Sequence, residues 1–142
     1  MSDDFFSGQW TGEYWYSTDY PGLKERAPIP FVINMTLQDG VLKGDCVDDE
    51  TKHFFVKPAI IDGTISNNTI SFKKIYPHFW DHDENNKLRF LPKLPARLIL
   101  YTGQFENGQF KGDWEVSSVF TDETGEIFEY RGRGFWQMKK AQ

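Results

Sequence analysis

The stretch Arg97-Leu98-Ile99-Leu100-Tyr101-Thr102-Gly103-Gln104-Phe105-Glu106-Asn107-Gly108-Gln109-Phe110-Lys111-Gly112-Asp113-Trp114-Glu115-Val116 decides the fold. Large and polar residues alternate on both sides of Asn107-Gly108, a pair that turns tightly because both residues accept positive φ. A period of two places Tyr101, Gly103 and Phe105 on one face, and Phe110, Gly112 and Trp114 on one face of the returning run. The spacing predicts a hairpin from Ala96–Phe105 to Gln109–Ser118.

The same pattern extends in both directions. Phe31, Ile33, Met35 and Leu37 alternate with Val32, Asn34, Thr36 and Gln38 before Asp39-Gly40, and Val41–Val47 returns from that turn. His53–Ser66 reads as a further strand that Pro58 interrupts or splits, because proline lacks a donor for the ladder. Asn67-Asn68 then leads into Thr69–Tyr76, and Thr124-Gly125 precedes Ile127–Met138. With an opening strand over Gln9–Tyr16, eight strands are expected, or nine if Pro58 divides one.

Glycine placement sharpens this. Trp10-x-Gly12-x-Tyr14, Leu42-x-Gly44-x-Cys46, Ile61-x-Gly63-x-Ile65 and Tyr130-x-Gly132-x-Gly134-x-Trp136 repeat the arrangement of the central hairpin. Glycine inside a strand forfeits packing, so it belongs where a sheet coils and inward side chains crowd. An all-β, antiparallel up-and-down barrel meets that need, with a twisted sandwich as the alternative. One barrel domain over residues 1–142 is expected.

The 142 residues carry 16 Lys and Arg against 21 Asp and Glu, a net charge of -5, which argues against nucleic-acid or anionic-membrane binding driven by bulk charge. The lone Cys46 cannot form an internal disulfide or a multi-thiolate metal site. The chain opens Met1-Ser2-Asp3-Asp4 with no basic, apolar leader, and no stretch is long enough to span a bilayer. A soluble, cytoplasmic domain is expected.

Phe6-Ser7-Gly8-Gln9-Trp10-Thr11-Gly12 resembles the start of calycin-type barrels, the lipocalins, fatty-acid-binding proteins and avidins, which place such a tryptophan near one end of the barrel. The resemblance implies a small-molecule binder. For the lipocalins it further implies a basic residue over the tryptophan, for which Arg131 and Arg133 are candidates. The helical lid of fatty-acid-binding proteins has no counterpart in the proline-containing segment Ser17–Pro30. Gly8-x-Trp10-x-Gly12 with Tyr20-Pro21 is also similar to nitrobindin-like haem barrels, whose ligand is a late histidine. The last histidine here is His82, so haem is not expected, nor is any other cofactor.

If the glycine-bearing face points inward, so do Phe72, Lys74 and Tyr76. The lumen would then gather Tyr14, Phe72, Lys74, Tyr76, Tyr101, Trp114 and Tyr130, a wall with a few placed polar groups, as small-molecule sites have. The alternative leaves Lys74 at the rim, snorkelling into water. The long connection from Pro77 to Pro95 is expected to act as a lid through Phe79 and Trp80. His78, Asp81, His82 and Asp83 within it read as a solvated loop tip and not a metal site, and Asp48-Asp49-Glu50 as a hydrated turn. Cys46 reads as a small core residue. No nucleophile–base pair, phosphate loop or dinucleotide fingerprint is present, so no catalytic residue is assigned. The expected function is binding of a small, largely apolar molecule in the lumen. The alternatives are an enzyme using a Lys/Tyr acid–base set, or a protein-interaction module with a filled barrel.

Overall fold

A computed structural model describes residues 3–17, 27–82, 85, 87–121 and 123–141, without the side chains of 118–121 and 128–130. Eight antiparallel strands close into a barrel: β1 (Gly8–Tyr16), β2 (Ile29–Gln38), β3 (Val41–Asp48), β4 (Ala59–Ser66), β5 (Thr69–Ile75), β8 (Ile99–Glu106), β9 (Gln109–Thr121) and β10 (Ile127–Lys140). Each pairs with its neighbour in sequence, and β1 closes the ring on β10. The short β6 (Phe79–His82) and β7 (Leu88–Leu91) form a separate two-stranded hairpin in the β5–β8 connection. A single helical turn, α1 (Asp3–Phe6), precedes β1. The architecture is a closed up-and-down barrel and not a sandwich.

The strand expected over His53–Ser66 is shorter. Residues 51–54 form a turn, and β4 begins at Ala59, immediately after Pro58. The Asp48 carboxylate accepts from the Thr51 amide at 2.8 Å and its hydroxyl at 3.0 Å, which fixes the chain in that turn and takes it off the ladder.

The mid-strand glycines lie on the inner face, and two of them admit large rings. A Cβ on Gly134 would sit 2.4 Å from the Trp114 ring, and one on Gly103 would sit 2.9 Å from that of Trp136. Gly103 and Gly112 face each other across β8 and β9, giving the Trp136 indole room to donate to the carbonyls of both Thr102 and Asp113 at 3.1 Å.

The tight turns at Asp39-Gly40, Asn67-Asn68 and Asn107-Gly108 gather at one end, which aromatics seal. Trp10 is fully buried among Phe6, Phe105 and Phe110, and its indole donates to the Phe6 carbonyl at 2.8 Å. The basic residue beside Trp10 is Lys140, its partner in the β1–β10 ladder, whose ammonium bonds the Phe5 carbonyl and lies 5.0 Å from the Phe5 ring. Arg131 and Arg133 do not take that place. They are exposed, and they sit further along β10, on the face opposite Gly132 and Gly134. Trp10→Ala should cost about 3–5 kcal/mol, the range for a buried tryptophan, measured as a denaturation midpoint with an unchanged slope.

Candidate functional site

The other end of the barrel carries the long connections, and there the inner wall becomes polar. Lys74, on the inner face of β5, is 2% exposed, so it is neither solvated nor snorkelling. Its ammonium lies 3.4 Å from Oδ2 of Asp48, itself 1% exposed. The rings of Tyr76, Tyr14 and Tyr101 surround it, with centroids at 4.8, 4.9 and 5.7 Å. The Tyr76 hydroxyl donates to Asp48 Oδ2 at 2.6 Å.

Position 48 follows from the alternation that sends Leu42, Gly44 and Cys46 inward along β3. The hydrated turn expected for Asp48-Asp49-Glu50 is therefore corrected, because only Asp49 faces solvent and pairs with Lys52 at 3.0 Å. Glu50 leans over the barrel mouth. Its Oε1 accepts from the hydroxyls of Tyr14 at 2.7 Å and Tyr16 at 2.6 Å, and its Oε2 lies 3.0 Å from His82 Nε2. One acidic turn thus ties β1 to the β6–β7 hairpin.

That hairpin also replaces the expected solvated loop tip. The His82 side chain is buried against Tyr16 and Trp80. Asp81 pairs with Arg89 across the hairpin at 2.6 Å, and the His78 ring packs tilted against Phe55 at 4.6 Å. These residues serve different contacts and share no site. Asp83 lies outside the described residues. Among the described residues no group of three His, Cys, Asp or Glu is placed to hold a metal.

Of the expected lumen set, Tyr14, Phe72, Tyr76, Tyr101 and Trp114 are buried in one cluster, and Lys74 is buried against three of its rings. The side chain of Tyr130 lies outside the described residues. Both expected lid residues are buried but on different contacts. Trp80 packs edge-on to Tyr76 at 5.4 Å, while Phe79 lies under the Arg97 guanidinium at 5.2 Å. Arg97 also donates to the Trp80 carbonyl at 2.6 Å.

The expected set omitted Asp48, Glu50, Tyr16, His82 and Arg97. For two of these the signal was present: the inward parity of β1 and β3 continues through Tyr16 and Asp48. Glu50, His82 and Arg97 come from connections, where no period applies.

Electrostatics fix the protonation of the cluster. Burial opposes a charge on Asp48, but the Lys74 ammonium and bonds from Tyr76 and Thr51 outweigh it and hold the carboxyl below its ordinary value. Burial likewise opposes the Lys74 charge, yet the surrounding Cys46, Tyr101, Tyr76 and Asp48 hold its proton above the ordinary lysine range. Burial pushes the phenols of Tyr14, Tyr76 and Tyr101 upward, and the Cys46 thiol to about 11. At neutral pH the site is an ion pair among neutral phenols.

Two cavities adjoin this cluster. One of about 20 Å³ lies inside the mouth, lined by Tyr14, Tyr16, Trp80, Tyr101 and Trp114 among others. A groove of about 200 Å³ runs under the β3–β4 connection past Cys46, Asp48, Thr51 and Phe55. Tyr76 lines both.

No family model matches the chain, and no curated protein matches it by sequence. Among solved structures, that of apo Bradavidin2 (form B) is similar at a TM-score of 0.46 and 12% identity, over 89% of this chain and 94% of that one. At that level the likeness carries no site residue across.

The sign of the pH dependence follows from the two shifts. Asp48 is depressed, so its contribution is complete above the ordinary aspartate value of 3.8 and is lost as pH falls through the lower folded value. Lys74 is raised, so its contribution is complete below 10.5 and is lost as pH rises through the higher folded value. Asp48→Asn should cost about 3–5 kcal/mol at neutral pH by stranding the ammonium. It should also flatten the acid limb of a melting-temperature profile, and an acid limb identical to that of the wild type would refute the assignment.

Proposed function

We propose that the barrel binds a small, largely apolar molecule at its polar mouth. Tyr14, Tyr76, Tyr101 and Trp114 would form the wall, and the Lys74–Asp48 pair with Glu50 would orient a polar group. The observation that carries this reading is the meeting of two cavities at Tyr76. Neither alone approaches the roughly 300–1,000 Å³ of a typical ligand pocket. Rotation of Tyr76 with displacement of Trp80 would join them over the ion pair. The free, buried thiol of Cys46 suits a reducing, cytoplasmic setting, which we include in the proposal.

The acid–base alternative is weakened by the same pair. An amine that serves as nucleophile or base needs a lowered pKa, and Lys74 is held protonated by its surroundings. The filled-barrel alternative draws on the small inner cavity, and the experiment separates it from ligand binding.

Titration with an anilinonaphthalene sulfonate, followed by its emission and by tryptophan quenching, should show saturable binding. Tyr101→Phe should weaken it by about 0.5–1.5 kcal/mol, the net worth of one hydrogen bond, at nearly unchanged stability. Trp80→Ala should speed association by removing part of the plug. Absence of saturable binding by the wild type and by a folded Trp80→Ala variant would establish a filled barrel and overturn the proposal.

A further inference from the structure

Charge is distributed unevenly around the mouth. The segments 51–58 and 87–98 hold Lys52, Lys57, Lys87, Arg89, Lys93 and Arg97 and no acidic residue, in a chain whose net charge is -5. They form one surface. Phe54 of the first stacks on Phe90 of the second at 4.7 Å, and Phe55 lies 5.4 Å from the same ring. The Leu94 amide bonds the Leu91 carbonyl, and the Leu94 carbonyl accepts from Phe79, so the second segment folds back along the hairpin.

The neighbouring acids are largely spent. Asp48 and Glu50 turn inward, Asp49 pairs with Lys52, and Asp81 pairs with Arg89. Asp83 and Glu84 lie outside the described residues. Between the cations the surface presents apolar side chains: Val56 is 103% exposed, Phe54 57%, Leu94 46% and Leu98 43%. Ile60 and Ile75, paired across β4 and β5, continue this band onto the outer wall. Single exposed apolar residues are ordinary, but a cluster framed by cations marks an interaction surface.

We infer that this rim docks on an anionic lipid bilayer, with Phe54, Val56 and Leu94 entering the interface and Lys57 and Lys93 against the headgroups. Charge complementarity selects this occupant. Lysine gains energy near an anionic leaflet, and aromatic and aliphatic tips gain by leaving water at the headgroup boundary. Bulk charge opposes such binding, so it is this cation-framed rim that would face the membrane. The inference does not depend on the ligand reading, although docking at the mouth would put the site next to a phase in which apolar molecules dissolve.

Co-sedimentation with phosphatidylcholine vesicles, with and without phosphatidylserine, tests it on the full chain. Wild type should bind the serine-containing vesicles, weakly the neutral ones, and release as salt rises. Lys57→Glu with Lys93→Glu should lower binding by at least roughly tenfold, since each lysine near the surface is worth about fivefold. Lys111→Glu with Lys139→Glu makes the same change in net charge away from the rim and should leave binding unaltered. Phe54→Ser with Val56→Ser should weaken binding at constant charge, with melting temperature confirming that each variant folds. The inference is overturned by absence of phosphatidylserine-dependent binding, by equal loss in the two charge-reversed proteins, or by binding that ignores the apolar pair.

Discussion

The mouth of the barrel is organised by a buried charge that must be answered. Removing an ammonium and a carboxylate from water costs several kcal/mol for each ion, and attraction repays this only where the remaining donors and acceptors are also satisfied. Lys74 and Asp48 meet that condition by recruiting their surroundings. Asp48 gathers the Thr51 turn, the Tyr76 hydroxyl and the ammonium, and three tyrosine rings face Lys74. The turn at Thr51 sets the course of the β3–β4 connection, and that course brings Glu50 over the lumen. From there Glu50 holds Tyr14, Tyr16 and His82. One ion pair therefore positions the end of β3, the end of β5 and the approach of the hairpin.

The barrel wall obeys a different constraint, that of volume. Five tryptophans and thirteen phenylalanines must be accommodated in a narrow chain of 142 residues. Rings of that size fit inside a small barrel only where opposing strands surrender their side chains. Gly134 yields to Trp114, and Gly103 yields to Trp136. Deleting side chains at these points lets the strands coil and the sheet close on itself. Below them, Trp10, Phe6, Phe105 and Phe110 complete a dry seal with the one indole proton bonded to a carbonyl.

This division explains what could be read from the sequence. Strand alternation and turn pairs are local signals, so the eight barrel strands, their order and the inward glycine face were legible from residues such as Asn107-Gly108 and Tyr101-x-Gly103-x-Phe105. Parity along β5 likewise placed Phe72, Lys74 and Tyr76 together. The partner of Lys74 was missed because three consecutive acids resemble a solvated tip, although continuing the parity of Leu42, Gly44 and Cys46 sends Asp48 inward. The roles of Glu50, His82 and Arg97 depend on how two connections fold over the mouth. No period encodes that, and the β6–β7 hairpin that carries His82 is only four residues on each strand.

The hairpin's isolation bears on whether the mouth can open. Among the described residues β6 and β7 form a sheet of their own, with no ladder to the barrel. A lone two-stranded hairpin is marginal in water and owes its position to what it packs against. Among those contacts are the His82–Glu50 bond, the Arg97 bond to the Trp80 carbonyl, the His82 ring against Tyr16, and the rings of Trp80 and Phe90 against Tyr76, Phe54 and Phe55. Displacing the hairpin would break these while leaving every strand of the barrel paired and the Lys74–Asp48 bond intact. A closed barrel with a nearly full interior is thus compatible with an accessible site, because the element that fills the mouth is the one the barrel's hydrogen bonding does not require.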